Sequence, residues 1–235
     1  MTSVKSEWGL AGIGALRDQA AVIVIVDVLS FSTAVDVAVS RGAVVFPFPY
    51  GQEWSAQEAA DRVGATLAQP RRAPGGQFSL SPVSLAGVPA GLKLMLPSPN
   101  GSRLSLACGE TTLLTGCLRN AAAVARAARE IAGDGDIAVI PAGELWPDGG
   151  LRPAIEDLLG AGAIIHHLDL PCSPEAQVVR DAYRSAENEI DALIRGSVSG
   201  RQLIDGGFPR DVEFATQENV STHAPILRDG AYQAN

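Results

Sequence analysis

The chain has 235 residues, 46% of them hydrophobic, and a formal net charge of −8 from 26 acidic and 18 basic side chains. That length and apolarity suffice for a full core and exclude disorder of the body. The acidic balance argues against nucleic acid or anionic lipid as partner, and no apolar run approaches the roughly 20 residues that span a bilayer.

AAVIVIVDVL (20–29) is rich in β-branched residues and apolar on both faces, which predicts a central parallel strand. Ser30, Ser32 and Thr33 can cap a helix over about 32–41. AVVFPFPY (43–50) predicts a second strand whose prolines mark its end or a sheet edge, and GQEWSAQEAADRVGA a helix stopped by Gly64. Residues 66–91, with Arg71, Arg72 and Ser81 among prolines and glycines, form a long irregular connection of the kind that often carries function. LKLMLP is a strand, GSRLSLACG a short helix, TTLLTGCL a strand, NAAAVARAAREIA a helix capped by Asn120, and DIAVIPAG (136–143) another strand. From about 151 the pattern turns helical: LRPAIEDLLGAGAIIHHL, then SPEAQVVRDAYRSAENEIDALI with an apolar stripe of Val178, Ala182, Ile190 and Leu193, then a short helix near GRQLI. This alternation predicts an α/β fold: a mostly parallel or mixed sheet flanked by helices, with a helical C-terminal part, in a single domain over 1–235.

Cys108, Cys117 and Cys172 are an odd number without metal-ligand spacing, and MTSVKSEWGL carries no secretory hydrophobic stretch, so the expected location is the reducing cytoplasm.

In open parallel sheets ligands bind beyond the carboxyl ends of strands, and three such ends here carry polar groups. Asp27 closes an apolar run; it either caps the next turn or offers a hard carboxylate to a cation such as Mg²⁺. PSPNGSRLS places Asn100, Gly101 and Ser102 at a helix start, which is either a tight turn or an anion site built on free amides. PAGELWPDGGLRPAIEDLLGAG puts Glu144 past a strand and Glu156 with Asp157 inside a helix. The apolar repeat Ile155, Leu158, Leu159 predicts that one of these two acids faces the core edge and the other water. Arg152 is spaced for an ion pair with Glu156. The chain matches neither the phosphate loop ending in Gly-Lys-Ser/Thr nor the Gly-x-Ser-x-Gly elbow. His166 and His167 read as a helix-end pair, and His223 reaches any site only if the tail folds back.

Taken in order, DVLSFSTA, SLSP before the strand leading to PNGS, RNAAAVA, PAGE leading to AIEDLLGAGAII, and DVEFATQENVSTHAPIL resemble the 2-phosphosulfolactate phosphatase family, from about residue 20 to 228. The resemblance implies a Mg²⁺-dependent phosphomonoester hydrolase of α/β fold, whose namesake reaction acts on 2-phospho-3-sulfolactate in coenzyme M synthesis. It matches Asp27 to the acid ending the first strand, Asn100, Gly101 and Ser102 to a Thr-Asn-Gly-Thr turn, and Glu156 with Asp157 to a Glu-Asp pair. The chain departs from the family at Ser30 and Phe31, where the pattern reads Arg-Ala, and in 66–82, which lacks the pattern's Glu and Asn. Phe31 is accordingly expected to make the pocket more apolar.

The expected site therefore comprises catalytic Asp27, Glu156 and Asp157, Mg²⁺ on Asp27, Glu144 and Asp157, and a phosphate held by Ser32, Thr33, Arg71, Arg72, Ser81, Asn100, Gly101 and Ser102. The expected partner is a small anionic phosphorylated substrate. Two alternatives are a non-catalytic anion-binding protein that keeps the fold, and an assembly component whose helices after 151 form a homodimer face.

Overall fold

The computed structural model describes residues 2–49 and 53–235. In chain order its elements are β1 (Val4–Ser6), α1 (Gly9–Leu16), β2 (Val22–Val26), α2 (Phe31–Ser40), β3 (Val44–Pro49), α3 (Glu53–Val63), β4 (Thr66–Leu67), α4 (Pro82–Leu85), β5 (Lys93–Ser98), α5 (Gly101–Ala107), β6 (Thr112–Gly116) and α6 (Ala121–Ala132). There follow β7 (Ile137–Pro141), β8 (Glu144–Leu145), β9 (Leu151–Arg152), α7 (Ile155–Leu168), α8 (Pro174–Ala186), α9 (Ile190–Gly196), α10 (Val198–Asp205), α11 (Pro209–Ala215), β10 (Ile226–Arg228) and β11 (Ala231–Gln233). The expected strand end at Tyr50 and helix start at Gly51 and Gln52 lie outside the described residues.

The fold is α/β, with a mixed nine-stranded sheet ordered β1-β7-β2-β6-β10-β11-β3-β5-β4. β1, β7, β2 and β6 are mutually parallel, as are β3, β5 and β4. The period of two in a strand sorts its side chains. Val22, Val24 and Val26 enter one core with Ala125 and Ala128 of α6 and Leu159 and Ile164 of α7. Ile23 and Ile25 enter the other with Ile13 of α1, Val35 of α2 and Leu104 of α5. With both faces covered, all five residues of β2 are buried, each such side chain contributing roughly 1.5–3 kcal/mol.

Several expectations are corrected. No strand is predicted after Gly143, yet the tail folds back as a hairpin inside the sheet, β10 antiparallel to β6 and β11 antiparallel to β3. Its turn is Asp229-Gly230, both at positive φ, an ordinary two-residue hairpin signal. β3 is consequently interior; Pro47 and Pro49 are tolerated because β11 meets β3 at Val45 and these prolines pair with β5 alone. Leu151–Arg152 forms a strand opposite Glu144–Leu145 rather than a helix start. The predicted long helix after Ser173 breaks into α8, which buries Ala176, Val179, Tyr183 and Ala186, and α9; of the expected stripe Ile190 is buried, whereas Val178 is 69% exposed. The register is set by α7, whose Gly162 lies so close to α8 that a Cβ would meet Val179 O at 2.5 Å. Asn120 does not cap α6 through its side chain; its Oδ1 accepts from Cys117 N, and Asn219 of the tail accepts from Ala122 N at 2.9 Å instead. Among the described residues no helix is long and apolar enough to cross a membrane, and the three cysteines are free.

Candidate active site

β2 ends because Asp27 leaves the sheet in a turn that its own neighbours close. Ser32 Oγ accepts from Asp27 N at 2.9 Å and pairs with Thr115 Oγ1 at 2.7 Å, while Thr33 Oγ1 donates to Val28 O at 2.7 Å. Both hydroxyls are fully buried, so they hold the turn rather than facing a ligand. The Asp27 carboxylate then reaches two segments: Oδ1 accepts from Phe31 N at 3.1 Å and Oδ2 from Gly101 N at 2.8 Å. Glycine is required at 101, since a Cβ there would lie 2.2 Å from Phe31 Cδ1. Ser102 Oγ donates back to Leu96 O at 3.0 Å.

The later acids complete the knot. Asp157 Oδ1 accepts from Val28 N at 2.7 Å and its Oδ2 from Gly143 N at 2.9 Å, which ties the ends of β2 and β7 to the first turn of α7. Gly160 permits this approach, because a Cβ would sit 2.6 Å from Val28 Cγ2. Glu144 Oε2 accepts from Asn100 Nδ2 at 2.8 Å. Glu156 is buried and its Oε2 has no hydrogen-bond partner among the described residues.

Asp27, Asn100, Gly101, Glu144, Glu156 and Asp157 are thus brought together as expected, with two corrections. Glu156 and Asp157 are both buried, 2% and 3% exposed, because α7 turns its acidic start inward and leaves Ile155 in solvent. Arg152 is not paired with Glu156; it stands opposite Glu144 in the β8–β9 hairpin, donates to Ser199 Oγ at 3.0 Å and lies over the Trp146 ring. The Asn-Gly corner also spends its donors differently from the anion-site expectation: Gly101 N and Asn100 Nδ2 are both taken by carboxylates.

The electrostatics follow from packing three buried acids, Asp27, Glu156 and Asp157, beside the half-buried Glu144. Asp27 is pushed up to about 7, chiefly by burial and then by Glu144 and Glu156, with the amides of Phe31 and Gly101 opposing the rise. Asp157 is raised well above the carboxylate range by burial, then by Asp27 and Glu156, against the Val28 amide. Glu144 is raised by burial, with Asn100 and Arg152 pulling it back. Such a cluster favours a cation or retained protons. Among the described residues no three His, Cys, Asp or Glu side chains form a ready-made metal-ligand set. The donor chemistry nonetheless fits Mg²⁺, a hard ion that ordinarily takes one or two carboxylates and keeps several waters.

The family profile described as 2-phosphosulpholactate phosphatase matches residues 14–230. The chain belongs to this family. It is 34% identical over 215 residues to the 2-phosphosulfolactate phosphatase of Methanothermobacter thermautotrophicus, covering 88% of this chain and 87% of that one. It is 30% identical over 212 residues to the probable 2-phosphosulfolactate phosphatase of Carboxydothermus hydrogenoformans, covering 86% and 84%. A protein of the same probable assignment from Symbiobacterium thermophilum is 26% identical over 221 residues, 89% and 92% of the two chains.

The two departures from the 2-phosphosulfolactate phosphatase pattern at the end of β2 have structural counterparts. Where the pattern has Arg, Ser30 Oγ receives a hydrogen bond from Arg71 Nη2 at 2.7 Å, so a guanidinium arrives from the long connection. Arg71 is fixed by Asp211, Nε to Oδ2 at 3.1 Å, by Leu80 O at 3.3 Å and by the Phe208 ring beneath it. Ser81 Oγ donates to Asp211 Oδ1 at 2.5 Å. Asp211, 2% exposed, was missed as a site residue although it opens the tail motif; an acid at the start of a helix after a proline reads as an ordinary cap. Phe31 does not line a pocket. It is fully buried, edge-on to Tyr232 at 5.9 Å and against Gly101. Arg72 is not brought to the carboxylates: it is exposed, donates to Gly206 O at 2.5 Å and lies over Phe208. His166 and His167 pair at the end of α7, their rings 5.3 Å apart.

Proposed function

We propose that the chain hydrolyses the phosphomonoester of a small organic acid at the Asp27 cluster, the chemistry named for its relatives. The observation that carries this is the joining of three strand ends by two acids: Asp27 bound to the Gly101 amide and Asp157 bound to the Val28 and Gly143 amides, with Glu144 and an unpartnered Glu156 beside them. A metal-dependent hydrolase needs such carboxylates held together by a rigid scaffold.

Mg²⁺ would be held by Asp27, Glu144 or Asp157, two of them with water completing the shell. When bound, the ion supplies charge neutralisation and polarisation of the phosphoryl oxygens. The protein's own groups do the rest. Both oxygens of Asp27 accept backbone hydrogen bonds, which hold its charge in place and blunt it as a nucleophile, so water is the attacking group. Glu156 accepts the proton of that water through its free Oε2. Arg71 has no bond on Nη1 among those described while its other nitrogens are anchored. It presents that donor to a phosphoryl oxygen as charge redistributes.

The test is phosphate release from 2-phosphosulfolactate and other 2-phospho acids in ¹⁸O-labelled water, with wild type and Glu156→Gln. The expected result is one ¹⁸O in each phosphate, and a rate at least about 100-fold lower in the variant. Phosphate binding without release, or an unaffected Glu156→Gln, would sink the proposal.

A further inference from the structure

Beside the carboxylates lies a cavity of about 360 Å³, inside the range of small-ligand pockets, roughly 300–1,000 Å³. Its inner wall includes Asn100, whose side chain holds Glu144, and Ala142, which precedes the Gly143 amide on Asp157. The cavity therefore adjoins the proposed phosphoryl site. Its outer wall is apolar: Leu10, Leu145 and Leu151 line it, and they stand 40%, 46% and 40% exposed. Apolar surface left in water on the wall of a concavity gains free energy when an apolar group covers it. Arg103 is the one charged residue on this lining, is exposed, and has no hydrogen-bond or ion-pair partner among the described residues.

We infer that this cavity receives the organic end of the substrate and selects a 2-phospho acid with one carboxylate or sulfonate, read by Arg103, and an apolar body lying on Leu10, Leu145 and Leu151. This rests on the hydrolytic function proposed above. A guanidinium matches one planar or tetrahedral oxyanion with two parallel hydrogen bonds. A substrate with two acid groups besides the phosphate would turn one of them toward leucine side chains, where an unpaired charge is costly. The preferred class is thus a phosphorylated 2-hydroxy acid with an aliphatic side chain, ahead of one bearing a second acid.

The experiment compares kcat/KM for 2-phospho-4-methylpentanoate, 2-phosphosulfolactate and the acid-free 3-methylbutyl phosphate. The aliphatic acid is expected to exceed the sulfonated one by about tenfold, since each buried methylene is worth roughly a fourfold change. In Arg103→Gln the ratio of the aliphatic acid to the acid-free ester falls by about 10- to 100-fold. In Leu145→Ser the preference for the aliphatic over the sulfonated acid shrinks. A preference for the sulfonated acid, or an Arg103→Gln ratio equal to wild type, overturns the inference. If no ester is hydrolysed, the hydrolytic function fails on its own account. Calorimetric titration with 2-hydroxy-4-methylpentanoate then still tests the cavity: at least tenfold weaker binding to Arg103→Gln supports it, and equal binding or none overturns it.

Discussion

Replacing Asp27 with asparagine should make the metal-free protein more stable in mild alkali and less stable below about pH 4. Asp27 moves from an ordinary 3.8 to about 7 in the fold, chiefly through burial and then the neighbouring Glu144. A shift of that size corresponds to about 4 kcal/mol. The folded value lies above the unfolded one, so this stability is fully present below about pH 4 and lost as pH rises through 7. Asparagine keeps the shape and removes the charge, but it has one carbonyl oxygen for two amide donors, Phe31 N and Gly101 N. Its NH₂ must face one of them, which costs about 1–3 kcal/mol. The net expectation is a gain of about 1–3 kcal/mol at pH 8 and a loss of similar size at pH 3, below the unfolded value. For a chain of this length that is roughly 2–10 °C in Tm in each direction. Thermal unfolding followed by circular dichroism in EDTA at the two pH values reads both signs. Equal destabilisation at pH 3 and pH 8 would refute the assignment of an unfavourable buried charge to Asp27.

Gly101→Ala should destabilise by about 1–3 kcal/mol or more, because its Cβ would fall on the Phe31 ring. Phe31→Ala, which restores the residue of the family pattern, removes that clash; in urea titrations the double variant should be more stable than the sum of the two single changes allows. Arg71→Ala should lose about 3 kcal/mol by stranding the buried Asp211 carboxylate. Arg71→Lys should regain most of that stability, yet phosphate release should stay at least about tenfold low, since lysine lacks the fork that spans Asp211 and Ser30.

Strand β2 and the polar ends of three strands were legible because periodicity and composition there agree with the tertiary outcome: VIVIV is apolar throughout and is buried throughout. Asp27, Asn100, Gly101 and Asp157 stood out for the same reason, being polar groups at the carboxyl ends of apolar runs or at the start of a helix. The inward turn of both Glu156 and Asp157 was hidden, because a helix-period count weighs Ile155 as core and cannot see two backbone amides, Val28 N and Gly143 N, waiting for a carboxylate. Gly160 in LLGAGAII was the available clue, a small residue where a helix crosses a strand closely. The tail hairpin has three residues per strand, too few for alternation to register, and only Asp229-Gly230 announced it. Arg71 was visible as a cation in an irregular connection, but its partner Asp211 is 140 residues away, a separation that local pattern cannot bridge.

The most direct test of the hydrolytic centre is the Mg²⁺ dependence of phosphate release, measured with the fastest 2-phospho acid for wild type and Glu144→Gln. The substituted side chain keeps an amide oxygen as acceptor for Asn100 while losing the charge. No release is expected without a divalent ion, and the half-saturating Mg²⁺ concentration should be at least about tenfold higher in the variant at nearly unchanged Tm. Release that persists in EDTA, or identical Mg²⁺ curves for the two proteins, would contradict this expectation.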